Sequence, residues 1–221
     1  MRSALLLTIL SLFLSSPLSA QKGDSLLAEK GLIDIAALDS TIRVELIYAG
    51  SDNFMGEAVY EGITKAWLHP DAAAKLLKAQ EKLRQIAPQY RLIVYDAARP
   101  MSVQHRMWAL VRGTDKTNYV ANPANGGGLH NYGMAVDVSL IDQEGNPLPM
   151  GTAIDHFGRE AHTDDEETLV DEGLITREEA RNRQLLRSVM HQAGFTSIRY
   201  EWWHFNACSR PYAREHYMPI E

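Results

Sequence analysis

At 221 residues and 45% hydrophobic, the chain can bury one substantial core without needing a second. Its formal net charge of −6 comes with no basic cluster, which argues against nucleic acid or anionic lipid as a partner. The single cysteine, Cys208, excludes an intramolecular disulfide and a cysteine-rich structural zinc site, so stability must come from packing and any bound metal.

Residues 1–20 read as a signal peptide. Arg2 supplies a short positive region, Ala4 to Leu14 an apolar one, and Leu18-Ser19-Ala20 the cleavage site. The apolar run is short for a bilayer and breaks at Ser15-Ser16-Pro17, which favours cleavage after Ala20 over an uncleaved anchor. The expected product is one domain over residues 21–221, exported to the periplasm or the medium, with no stable membrane span. Thr41 to Ala49, rich in β-branched and apolar residues, predicts a strand. Asp71 to Ala87 predicts a helix with Ala73, Leu76, Leu77, Leu83 and Ile86 on its apolar stripe, opened near Pro70 and stopped by Pro88. A short buried strand over Arg91 to Tyr95 then delivers Asp96 and Arg99 to a turn closed by Pro100. Ser102 to Arg112 predicts a second helix. A glycine-rich loop, Asn122 to Gly128, leads to a strand through Met134 to Ile141.

Beyond the turn at Glu144-Gly145-Asn146-Pro147, residues 158–173 are charged and weakly periodic, hence a surface excursion. Thr176 and Glu179 form a capping box for a helix ending at Gly194, and Phe195 to Phe205 reads as one last strand. Strands and helices intersperse without regular alternation, which predicts an α+β domain with an antiparallel-type sheet and helices packed against it.

Two segments carry chemistry. His130-Asn131-Tyr132-Gly133-Met134-Ala135-Val136-Asp137 and Glu201-Trp202-Trp203-His204 together offer two imidazoles, one carboxylate and a further glutamate three residues before the last histidine. Three protein ligands, an open coordination position and a carboxylate base are the inventory of a catalytic zinc hydrolase. The facial triad of non-haem iron oxygenases uses similar ligands, but commonly as a tight His-x-Asp pair and without an extra glutamate. One difficulty stands: in an ideal strand Glu201 and His204 face opposite sides, so the strand must twist or bulge there. The other histidines read more plainly. His69, His105 and His191 suit exposed or capping roles, His162 and His216 the surface. His156 beside Asp155 is a weaker candidate for lining a pocket, and the run Asp164-Asp165-Glu166-Glu167 reads as a solvated acidic face.

These segments resemble the zinc D-Ala-D-Ala metallopeptidases, above all dipeptidases of the vancomycin-resistance type, whose pattern is His, six residues, Asp, and a distant Glu-x-Trp-His. Tyr48-Ala49-Gly50-Ser51-Asp52-Asn53-Phe54, Tyr95-Asp96-Ala97-Ala98-Arg99-Pro100 and Met150-Gly151-Thr152 with Asp155 and Phe157 extend the resemblance in order over roughly residues 38 to 215. The resemblance implies one Zn²⁺ per chain on His130, Asp137 and His204, Glu201 as general base and Arg99 stabilising the oxyanion. It implies further that Asp96 orients Arg99 and, with Tyr48, Asp155 and Gly128, belongs to the residues that touch substrate, Tyr48 and Asp155 near its amine. Such dipeptidases commonly carry Ser two residues before the first histidine, serving the substrate carboxylate; here that residue is Gly128. Backbone N–H groups can replace the lost hydroxyl, or the substrate differs.

Three functions remain open. One is hydrolysis of a small D,D-dipeptide. Another is an exported peptidoglycan carboxypeptidase or endopeptidase acting on wall stem peptides. The third is an inactive zinc-stabilised binding domain, against which the presence of Glu201 and Arg99 counts.

Overall fold

The computed structural model describes residues 20–221; the expected signal peptide lies, but for Ala20, outside the described residues. In chain order the elements are helix α1 (Ala20–Glu29), strand β1 (Ile33–Asp34), α2 (Ile35–Leu38), β2 (Arg43–Val44), β3 (Trp67–Leu68), α3 (Pro70–Ile86), β4 (Arg91–Asp96), α4 (Met101–Val111) and β5 (Ala135–Ile141). After these come α5 (Glu166–Asp171), α6 (Arg177–Ala193), β6 (Thr196–Ser197), β7 (His204–Asn206) and α7 (Arg210–His216). The fold is α+β. A five-stranded sheet runs β2-β4-β5-β7-β6, antiparallel except where β2 joins β4 in parallel, and β1 pairs with β3 in a separate ribbon.

Local chemistry explains the helix ends. Pro70 opens α3 behind His69, whose ring accepts the Asp71 N–H as a cap. Thr176 and Glu179 cap α6 reciprocally, and Gly194 at φ +98° closes it. Helices α3 and α6 pack together against one face of the sheet. Leu76, Leu83, Leu186, Val189 and Met190 meet Val136, Val138, Leu140 and Phe205 there. Alternation along β5 then sends Asp137 to the opposite face, and along β7 it sends His204 and Asn206 the same way while Phe205 stays in the core. The sheet thus has an oily face and a working face.

Several predicted elements differ from the structure. The strand expected over residues 41–49 shrinks to Arg43–Val44, because the chain leaves the sheet in a 3-10 turn at Ile47–Ala49 that buries Tyr48. Ile86 is exposed at the end of α3, where the helix has run past the sheet. Residues 158–173 are not a pure excursion: Ala161 and Leu169 are fully buried and α5 forms. The single last strand is two, β6 and β7, separated by residues 198–203. That break removes the difficulty over Glu201, which lies in the turn before β7 and is not bound by strand alternation.

Candidate metal centre

The centre is a row across three strands. Asp96 of β4 lies opposite Asp137 of β5, and Asp137 opposite His204 of β7. A bulge between Val94 and Asp96 brings β4 into that register. Directly paired residues of neighbouring strands sit about 5 Å apart at Cβ, so a shared site follows from the pairing itself. His130 arrives from outside the sheet, on a 3-10 turn at Leu129–Tyr132. Gly133, at φ +64°, turns that segment into β5, and a Cβ there would stand 3.0 Å from the His69 nitrogen. The backbone is stitched to the next segment, since the Arg99 N–H donates to the His130 carbonyl at 3.0 Å.

His130, Asp137 and His204 each offer a ligand atom, and these atoms all lie within 4.8 Å of one another. His130 Nδ1 donates to the Ala97 carbonyl at 2.7 Å, which leaves a lone pair on Nε2. His204 Nε2 donates to Asn206 Oδ1 at 2.9 Å, which leaves one on Nδ1. Those two lone pairs face each other at 3.1 Å, and Asp137 Oδ1 stands 3.2 Å and 2.9 Å from them. Three acceptors aimed at one point repel unless a cation stands among them. The residues fit a metal ion. Burial opposes ionisation of Asp137, but without a metal the charges and hydrogen bonds of protonated His130 and His204 outweigh it and hold the carboxyl well below the usual range.

Around this cluster lie the other expected residues. Glu201 Oε2 is 3.9 Å from His204 Nδ1, beside the ligand atoms rather than among them. Burial pushes its carboxyl up to about 8, against the pull of His204. Arg99 lines the cleft and is held by three bonds: Nε to Asp96 Oδ2 at 3.1 Å, Nη2 to the same oxygen, and Nη1 to Gln104 Oε1 at 3.1 Å. Asp96 itself is fully buried and does not reach the cleft. The expectation that it touches substrate is therefore corrected: it accepts from Tyr60 and from the Ala97 N–H and orients Arg99. Tyr48 and Asp155 meet as the resemblance implied, with the Tyr48 hydroxyl 2.8 Å and 2.9 Å from the two Asp155 oxygens. Asp155 is the one non-glycine residue with positive φ among the described residues, at 63°. Burial pushes its carboxyl up to about 6, although Tyr48 opposes this.

The cleft encloses about 470 Å³ and runs from Tyr48, Phe54 and Asp155 past the cluster to Gly128, Cys208 and Arg210. Gly128 lines it, but the glycine loop does not offer its N–H groups there. Gly128 N–H donates to Asn131 Oδ1 at 2.9 Å, Gly127 N–H to the Asn122 carbonyl at 3.3 Å, and Gly126 N–H to the Pro123 carbonyl at 3.0 Å. His156 is exposed, pairs with Glu160 and stays outside the cleft, whereas His162 is half-buried beside Tyr119 and Tyr200.

Sequence reasoning missed the supports. Gln104, Tyr60, Asn131 and Asn206 hold the working side chains, and of these only Asn206 left a signal, two residues after His204 on the same strand face. Arg183 of α6 was missed as well. It is 1% exposed, its Nε donates to the Met150 carbonyl at 2.6 Å, and its guanidinium stacks 5.6 Å from the Trp202 ring. Its two terminal nitrogens have no hydrogen-bond partner among the described residues. Trp202 Nε1 in turn donates to Thr152 Oγ1 at 2.8 Å, so Arg183 and Trp202 fasten the loop that carries Asp155 to the segment that carries Glu201.

Comparison with known proteins adds a consistent set of relatives. A family model described as D-ala-D-ala dipeptidase matches residues 28–220. A D-alanyl-D-alanine dipeptidase of Escherichia coli is 33% identical over 174 residues, covering 79% of this chain and 83% of its own. One from Enterococcus faecium is 28% identical over 202 residues, covering 81% and 93%. One from Synechocystis is 27% identical over 178 residues, covering 67% and 72%. Among solved structures, that of the LD-carboxypeptidase LdcB aligns over 79% of this chain and 70% of that one, at 17% identity and a TM-score of 0.43.

Proposed function

Because the chain belongs to the D-Ala-D-Ala dipeptidase family of metallopeptidases, we propose that it is a zinc enzyme that hydrolyses the free D-Ala-D-Ala dipeptide outside the cytoplasm. The observation that carries the reading is the pairing of the converging ligand trio with an amine-sized anchor, Tyr48 and Asp155, in the same cleft. Two imidazoles, one carboxylate and an open position suit zinc, and Glu201 beside the ligands favours it over the iron triad of the same donors. Bound there, it supplies a water of lowered pKa and polarises the scissile carbonyl.

The chain's own groups do the rest. Glu201 takes the proton of the attacking water and delivers it to the departing amine nitrogen. Arg99, oriented by Asp96 and Gln104, presents a fixed positive charge to the developing oxyanion. Asp155 meets the substrate ammonium, while the aromatic edges of Tyr48, Phe54 and Phe157 exclude water around it.

Carboxypeptidase action on wall stem peptides is not favoured, since the family description and the relatives above are dipeptidases and a buried amine anchor disfavours a blocked N-terminus. The test compares the zinc-loaded protein on D-Ala-D-Ala, N-acetyl-D-Ala-D-Ala and a wall pentapeptide, following alanine release. A buried carboxylate without its cation costs a few kcal/mol, so the free dipeptide should be cut about 10²-fold faster than its acetylated form. Equal rates on both would sink the amine anchor and return the choice to a carboxypeptidase. Export is part of the same proposal and rests on residues 1–20 alone. No helix among the described residues is long and apolar enough to cross a membrane.

A further inference from the structure

A free dipeptide is a zwitterion, and so far only its ammonium has a partner. The carboxylate needs a donor or a cation at the other end of the cleft, and the obvious candidates are engaged. The N–H groups of Gly126, Gly127 and Gly128 all bond within their own loop. Arg99 is clasped by Asp96 and Gln104 and stands at the reacting centre. The remaining cation that lines the cleft is Arg210, the first residue of α7.

Arg210 differs from its neighbours in having nothing to do. Arg214, one turn later, donates to the Asn125 carbonyl. Arg187 and Arg199 pair with Glu166 and Asp164. Among the described residues the Arg210 side chain makes no hydrogen bond and no ion pair, and it is exposed at the cleft mouth beside Asn125 and Gly126. Nor does it serve its helix, because the first turn of a helix disfavours a cation. Its position in the sheet order is what a zwitterion requires. Tyr48 follows β2 at one edge, the row of Asp96, Asp137 and His204 crosses β4, β5 and β7, and Arg210 follows β7 on the far side.

We propose that Arg210 binds the free carboxylate of the substrate's C-terminal residue, so that the cleft holds a dipeptide between Asp155 at one end and Arg210 at the other. The inference rests on the dipeptidase reading and supplies what Gly128, in the place of a serine hydroxyl, does not. A guanidinium offers a carboxylate two parallel hydrogen bonds, and its flexible stem lets it close after the ligand has entered.

The experiment compares D-Ala-D-Ala with D-Ala-D-alaninamide, which keeps the ammonium and lacks the negative charge. In the zinc-loaded enzyme, Arg210→Ala should lower the ratio of kcat/KM for the acid over the amide by about 10- to 100-fold, the worth of a hydrogen bond to a charged group, chiefly through KM. Arg210→Glu should lower it further and Arg210→Lys less, an order of charge that a folding defect does not reproduce. An unchanged ratio in the alanine variant overturns the role of Arg210 while leaving the dipeptidase reading intact. Absence of D-Ala-D-Ala turnover in the unmodified enzyme overturns both.

Discussion

The two halves of the cleft are built differently. At the metal centre, Asp137 and His204 are opposed residues on paired strands, and each histidine has its outward nitrogen tied to an acceptor. At the substrate ends, Tyr48, Asp155 and Arg210 come from a 3-10 turn, a loop with a positive-φ aspartate and the start of a short helix. Strand pairing holds Asp137 and His204 in register, whereas the second half depends on turns and loops, Tyr48 accepting at its carbonyl from the Val59 and Tyr60 N–H groups and Asp155 accepting from the Tyr48 hydroxyl and the Phe54 N–H. Chemistry here sits on the scaffold and selectivity on its attachments, so the two should fail separately.

The largest test of that separation is made at the centre. His204→Ala should lose metal and activity together, whereas Glu201→Gln should keep the metal and lower kcat by about 10²- to 10⁴-fold, with the preference for the free amine unchanged. Metal analysis alongside turnover checks both; a Glu201→Gln enzyme of near-normal rate would remove that residue from the mechanism. A smaller effect is expected one shell further out. Asn206→Leu takes away the acceptor that sets the His204 tautomer, and should weaken metal affinity about 10- to 100-fold, measured by competition with a chelator. Unaltered affinity would mean that the strand alone orients the ring.

The smallest effect is a pH dependence of the loop half. Burial raises the free enzyme's Asp155 carboxyl to about 6, so below that pH it is neutral and has no charge to offer the ammonium. As pH rises through about 6 the carboxylate forms, and kcat/KM for D-Ala-D-Ala should rise with it. In Asp155→Asn that step should vanish from the profile. Its persistence there would assign the ionisation to another group.

The same division decided what could be read in advance. His130, Asp137, Glu201 and His204 were legible because ligand chemistry demands particular residue types, and α3 and α6 because Pro70 and the Thr176-Glu179 box mark helix starts locally. The split between β6 and β7 was not, since Phe195 to Phe205 has strand-like composition throughout and only pairing with β5 decides which residues form ladder bonds. Asp96 was placed one step too near the substrate because sequence reveals its distance from Arg99 but not its complete burial. Arg210 carries no local signature at all; its meaning depends on the glycine-loop N–H groups and Arg99 already having partners.

Arg183 has a consequence for engineering. A guanidinium buried with two bare nitrogens is a liability for the folded state, and an apolar side chain of similar length would be cheaper to enclose. Yet the same group clamps the Met150 carbonyl and stacks on Trp202, between the strap that carries Asp155 and the turn that carries Glu201. Heat tolerance and grip on the substrate therefore pull against each other at one residue, remote from the reacting atoms. A library screened for melting temperature alone would drift towards sturdier proteins that no longer tell a free dipeptide from a blocked one.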